Sequence, residues 1–462
     1  MATKTKRITR RLGVPSRSSA GVQRALNMAA VDRLMWRVGF GPTEADRKRY
    51  QGRSLSDVID EMLEAPRGRL QGPPPAMELN PAGDDDQLVL DWLDKMMRGN
   101  QLNERLALFW HDHFATQRAE VSPPQLLTQQ IDLFRDFSDF AGNPRAKYDD
   151  FIYAVGEGPA MLRFLNGESS TPSALNENYA REICELFALG VSDIRGIPNY
   201  SEADIREIGR AFTGWVIDDA DPDNAASRFL AERFDAGEKT IFGVKKAWGH
   251  RDTVDHVLKR HAHARFLLTK LWENFIVTPP SPATMSDLIR VYRRSKYQLK
   301  PVLRRILTDP MMLESVNEPN MIKPPAVYVA GLMRGLGLPI VDTQPVRDLE
   351  SIGQVPYFPP TVAGWEGGLE WVNTNTVQAR FNIASRLLAR PEIAVTDPGE
   401  QDGLKAFRTA HAATGRPWMS RSSSSVLSEY AKATARDTPA QRVDLQLLLR
   451  AFMLGGPDAQ VM

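Results

Sequence analysis

Apolar residues recur along this chain at intervals of three and four far more often than at intervals of two, the pattern of helices that bury one side. The stretch from Gln87 to about Thr116, QLVLDWLDKMMRGNQLNERLALFWHDHFAT, shows it best: Leu, Trp, Met and Phe share a stripe, and Gly99-Asn100 divides the run into two helices. Residues 28–66 alternate helical patterns around a GFGPT turn, where Gly39, Gly41 and Pro42 stop one helix and Thr43 caps the next. Ala45, Val58, Ile59 and Met62 supply a second apolar stripe. Pro123-Pro124 blocks continuation, and QLLTQQIDLFRDF starts another helix near Gln125. The segment from Asp252 to Phe275, the run LKPVLRRILTDPMML with Asp309-Pro310 as its stop, and a last helix containing QRVDLQLLLRAFM repeat the type.

Alternation of period two is scarce. Its best instance is RFLAERFD and KTIFGV on either side of Ala236-Gly237-Glu238, which predicts one small β-hairpin between helices. The predicted fold class is therefore mainly α, a large multihelical body of packed helical hairpins with a small β-hairpin insertion. It occupies residues 25–462 as one large helical domain, with loops at 68–86, 354–368 and 420–425, the first exposed and the last a serine-rich linker. No internal repeat is present.

Composition adds limits. A chain of 462 residues with 42% hydrophobic content can bury a large core. Its 58 basic and 57 acidic residues nearly cancel, leaving no global attraction for nucleic acid or a membrane surface. The distribution is less even: Lys4, Lys6, Arg7, Arg10, Arg11, Arg17 and Arg24 all precede the first acidic residue, Asp32. Residues 1–24 thus read as a basic, solvated arm, the one place where nucleic acid or a partner would be met. The lone cysteine, Cys184, can form no disulfide within the chain and reads as a buried, inert thiol. No run of eighteen apolar residues occurs, so no spanning helix is expected. Arg10-Arg11 lacks the apolar stretch of an export signal after it, and a cytoplasmic location is expected.

Candidate chemistry is concentrated in a few blocks. His111 and His113 in FWHDHF invite a divalent metal, since imidazole is a common ligand. Helical positions two apart point about 200° away from each other, however, so hydrogen-bonding roles are preferred, one ring on a backbone carbonyl and the other exposed or paired with an acid. No HExxH or CxxC spacing supports a metal, and neither a P-loop nor a dinucleotide fingerprint points to a nucleotide cofactor. In NENYAREICELF, helical spacing puts Asn178, Glu182 and Glu185 on one face and Tyr179, Ile183 and Leu186 on another, with Glu177 and Arg181 spaced for an ion pair. Such a stripe suits a polar substrate and a general base, and equally suits ties between helices. Asp235, Glu238 and Lys239, with Thr213-Gly214-Trp215 nearby, fit an anion site or, preferably, an ordinary hairpin turn. Trp365 and Trp371 in a glycine-rich loop suit a lid or sugar-stacking surface, or simply a tryptophan packing the loop down. His250, His256, His261 and His263, interleaved with charges, read as a solvated helix face, and His411 stands alone.

Several long blocks carry a resemblance. RLMWRVGFGPT, ERLALFWHDHFAT, NENYAREICELFALGV, IGRAFTGW with FDAGEKTIFG, and VPYFPPTVAGWEGG with WVNTNTVQARFN occur in this order, and together they resemble the bacterial domain of unknown function 1800 family. The resemblance implies no particular reaction. It implies that many relatives are exported and that a sulfatase-like protein of a neighbouring family is a partner. This chain departs from the pattern in having Phe234 where the family usually has a histidine before Asp235, and in lacking the export signal.

Two functional expectations follow. One is a hydrolytic or group-transfer enzyme with His111, His113, Glu177, Arg181, Glu182 and Asp235 in one cleft, and Asn176, Asn178, Lys239, Trp215 and Trp365 around the substrate. The other is a non-catalytic assembly or adaptor protein, in which the same residues knit helices together and the tryptophan loop or the basic arm meets a partner.

Overall fold

Local sequence signals set most helix boundaries. Thr43 accepts the Asp46 N–H while the Asp46 carboxylate takes the Thr43 N–H, a reciprocal cap that opens helix Glu44–Tyr50 after the GFGPT turn. Asp84 caps helix Asp85–Arg98, and Asn100 caps Gln101–His113 immediately after it, as the Gly99-Asn100 break predicts. Ala45 faces solvent, whereas Val58, Ile59 and Met62 on helix Leu55–Glu64 are buried. This computed structural model describes residues 25–68, 70–314, 318–393 and 395–462; the basic arm at 1–24 lies outside them.

Among the described residues there are twenty α-helices and two small two-stranded sheets, a mainly α architecture. Helix Gln101–His113 lies at the centre, packed against Asp85–Arg98 and Gln125–Ser138. Pro325–Leu336 crosses Asp85–Arg98, and Thr374–Leu388 lies along Pro439–Gly455. One extensive apolar core runs from Leu26 to Met462. A second, small cluster joins Phe407, Leu427, Leu445 and Leu449 from the last three helices. No described helix is long and apolar enough to cross a membrane.

Two expectations are corrected. The serine run at 420–425 is not a linker: Ser420 accepts the Ser423 N–H at 3.1 Å and opens helix Arg421–Ala433. That helix buries Leu427 and Ala431 in the second cluster, and this burial overrides the middling helix propensity of serine. The single hairpin expected about Ala236-Gly237-Glu238 is two hairpins. Trp215–Asp218 pairs antiparallel with Ala226–Phe229, and Lys239–Ile241 pairs with Val244–Lys246. The second pair turns through Phe242 and Gly243, both at positive φ (48° and 78°), the tight connection whose twist suits antiparallel strands.

Candidate functional site

The two histidines of FWHDHF serve different neighbours. The His111 Nε2 accepts the Tyr357 backbone N–H at 2.9 Å, which places the ring proton on Nδ1, where it has no hydrogen-bond partner among the described residues. Trp92 and Trp365 flank the ring edge-on, and burial holds its pKa down at about 3. Between the histidines, Asp112 accepts the Trp365 N–H at 2.8 Å, and burial pushes its carboxyl up to about 6. Gly364, at φ +82°, rests directly on Asp112: a Cβ there would lie 2.3 Å from its Oδ1. The block thus seats the loop at 354–368, and Trp365 packs that loop down.

His113 joins a separate network built on an unforeseen feature. Beyond Glu182 the helix widens into a π turn, Ile183–Ala188, in which the Leu189 N–H reaches back to the Cys184 carbonyl. Side chains from other elements occupy the carbonyls at its end: Tyr148 donates to Phe187, His263 Nδ1 to Ala188 at 2.9 Å, Lys270 to Leu186 at 3.3 Å, and Asn199 to Gly190 at 2.9 Å. Because Tyr148 gives its only proton to Phe187, His113 Nε2 donates to the Tyr148 oxygen, 2.9 Å away. The His263 Nε2 accepts from Tyr292 at 2.9 Å. The expectation that one of the FWHDHF histidines is exposed or acid-paired is thereby corrected: both are buried, against a backbone amide and a tyrosine.

The π turn also changes the faces of NENYAREICELF. Tyr179 and Ile183 are buried as expected, but Phe187 replaces Leu186 as the next fully buried residue, because the extra residue per turn advances the stripe by one. Arg181 pairs with Glu202 at 2.7 Å and Glu185 at 3.4 Å rather than with Glu177. Glu182 is half-buried without a hydrogen bond among the described residues; burial, with Glu185 adding to it, pushes its carboxyl up to about 7. Burial pushes the Cys184 thiol upward too.

In the hairpin block, Asp235 is held by Arg210 at 2.7 Å, and this bond keeps its carboxyl below the ordinary range. Lys239 is buried and donates to the carbonyls of Asp235, Gly237 and Trp248, which uses all three of its donors. Asn176 and Trp215 meet at a void of about 20 Å³, room for one water, beside His250. Among the described residues neither nitrogen of His250 nor the Trp215 indole N–H has a partner. Asn178 lies elsewhere, its amide on the Leu165 carbonyl at 3.4 Å. The solvated-face reading of the histidine tract is corrected for His250 and His263, both buried. Among the described residues no three His, Cys, Asp or Glu side chains are grouped to hold a metal ion.

A ligand-sized cavity lies elsewhere, between helix Met28–Val38, helix Pro325–Leu336 and the C-terminal segment, and measures about 310 Å³. Its wall is mainly apolar, and its base carries Lys323, only 6% exposed. The Lys323 backbone is pinned on both sides, its N–H on the Gln460 carbonyl at 2.8 Å and its carbonyl on Arg380 at 3.0 Å. The ammonium nitrogen donates to the Ala459 carbonyl at 2.7 Å and sits 3.9 Å above the Trp36 ring. The indole has space only because glycines face it: a Cβ at Gly331 would come within 2.3 Å of the ring and one at Gly41 within 2.9 Å. Burial, reinforced by Arg380 and opposed by Asp32, brings the Lys323 pKa down to about 7. Asp32 itself is claimed by Arg47, at 2.7 and 3.2 Å. None of the six expected catalytic residues lines this cavity. A larger groove of about 700 Å³ adjoins it, but its arginines are taken up by carboxylates: Arg49 pairs with Glu61 and Arg334 with Asp46 inside it, and Arg98 with Asp94 behind its wall.

Sequence reasoning missed Lys323, Trp36 and Asp112. The available signal for Lys323 was a single cation ahead of Pro324-Pro325, at the head of the apolar run AVYVAGLM. Over residues 33–461 the chain matches the family described as Protein of unknown function (DUF1800), and it belongs to that family. No curated protein and no solved structure matches it.

Proposed function

We propose that this protein is an enzyme of hydrolytic or group-transfer type whose active site is the cavity over Trp36, with the Lys323 amine as nucleophile or base. The observation that carries the reading is a pinned, buried lysine lining a ligand-sized apolar cavity, with no carboxylate among the described residues bonded to its nitrogen. A lysine in such surroundings holds its proton weakly, and near pH 7 a substantial share is the free amine that attack or proton abstraction requires. The apolar wall suits a small, mainly apolar substrate, and the single buried cysteine suits work in the reducing cytoplasm.

Competitive labelling tests this. Trace acetic anhydride is applied between pH 6 and 10, and acetylation is followed by mass spectrometry at Lys323 and at the exposed Lys48. Lys323 is expected to reach half-maximal reactivity near pH 7 and to be shielded by benzoate. A Lys323 that is inert, or that titrates alongside Lys48, would remove the basis of the reading.

Glu182 supports a second reading, which keeps the chemistry in the block NENYAREICELF. Half-buried, unbonded and pushed up to about 7, it has the character of a general base. Substituting Glu182→Gln and finding turnover of a benzoate ester unchanged would leave that carboxyl a structural residue.

A further inference from the structure

We propose that Lys323 forms an imine with a carbonyl substrate that carries an anionic group on an apolar body. The inference rests on the reading of this cavity as the active site and narrows it to one substrate class.

Three observations lead there. A neutral Lys323 amine keeps one N–H on the Ala459 carbonyl and another above the Trp36 ring, which leaves the nitrogen lone pair for a molecule in the cavity. Among the described residues no carboxylate is bonded to that nitrogen, the nearby Asp32 being taken up by Arg47, so no ion pair must break before attack. Among the cations that line the cavity, Arg47 is taken up by Asp32, whereas Arg416 stands apart from that pair. Arg416 is exposed, and its guanidinium makes no hydrogen bond among the described residues. A guanidinium at the rim of an apolar cavity is suited to a carboxylate or phosphate on a ligand whose body lies against Trp36.

The covalent step balances without a further reagent. The amine lone pair attacks the carbonyl carbon, a C–N bond forms, and the carbonyl oxygen takes up the two amine hydrogens. It leaves as water while the nitrogen and carbon become doubly bonded. The depressed lysine pKa serves this step by supplying free amine for attack.

The test is reductive trapping on the full chain. The protein is incubated at pH 7 with 4-carboxybenzaldehyde and sodium cyanoborohydride, and the modified peptides are mapped by mass spectrometry. The expected result is an adduct at Lys323 accumulating at least about tenfold faster than at Lys48, since far more of Lys323 is free amine at this pH. Arg416→Ala is expected to slow trapping of 4-carboxybenzaldehyde several-fold but not that of benzaldehyde. Lys323→Arg, checked for folding by circular dichroism, is expected to abolish the fast adduct; the wild-type peptide map stands without it. If 4-carboxybenzaldehyde shields Lys323 from acetic anhydride yet reduction leaves no adduct there, the imine is overturned and the cavity reading survives. If it neither shields nor modifies Lys323, both fail.

Discussion

Along helix Gln101–His113, buried ionisable groups are bonded to their neighbours: near its start Arg135 holds Glu104 at 2.8 and 3.0 Å, and at its end His113, Tyr148 and the Phe187 carbonyl form a chain. In the cavity over Trp36, Lys323 is buried as deeply, but a carbonyl and an indole face are its partners. The first arrangement holds charge in place, and Arg135 is pushed up by Glu104 against the effect of its burial. The second expels charge, and Lys323 is pushed down. Burial is common to both. What separates a structural network from a reactive group is whether the neighbours complete its hydrogen bonding and whether a ligand-sized space adjoins it.

The comparison can be broken most severely at Glu104. Replacing it by alanine leaves the buried Arg135 with only the exposed Asp132 to pair with and also removes the acceptor of the Trp92 indole N–H. A loss of about 3–5 kcal/mol is expected in urea denaturation. A loss below 1 kcal/mol would show that this network is not the rigid part of the molecule. Gly331→Ala should come next: its Cβ collides with the Trp36 ring, and displacing that ring costs about 1–3 kcal/mol and moves Lys323. Unchanged acetylation kinetics at Lys323 in this variant would separate the lysine from the indole.

Acidity sharpens the contrast. His111 and His263 are neutral in the fold, held near 3 and 4, whereas in the unfolded chain each takes up a proton below about 6.5. The stability present above that value is therefore lost as pH falls from about 6.5 towards 4, by up to about 1.4 kcal/mol per pH unit for each ring. Urea midpoints at pH 7 and 5 measure the loss, and His263→Gln should flatten it; a level wild-type profile would contradict the neutral rings. Lys323 acts in another window. Above about pH 7 the fold has released a proton that the unfolded chain still holds, so stability from this group rises with pH towards the ordinary lysine range. The smallest effect follows from this: Lys323→Met should change stability at pH 7 by less than about 1 kcal/mol, since replacing a poorly compensated buried cation with an apolar chain of similar length is close to neutral. A large loss would make Lys323 a structural tie to Ala459 and nothing more.

The sequence by itself determined the helical class, because spacing of three and four survives in any environment, and it determined many helix starts, because Thr43, Asp84 and Asn100 bond backbone atoms only three residues away. It also singled out the histidines of FWHDHF as candidates for chemistry or for hydrogen bonding, though not what His111, Asp112 and His113 touch. Tertiary structure alone decided those partners, because Tyr357, Trp365 and Tyr148 come from remote segments and no local spacing encodes their approach. It decided the serine run in the same way: Leu427 and Ala431 gain a buried position that serine propensity does not foretell. Lys323 shows the same limit most clearly. Its chemistry depends on Trp36, Arg380 and Ala459 converging from both ends of the chain and withdrawing it from water, and desolvation is a property of the assembled neighbourhood rather than of any residue type.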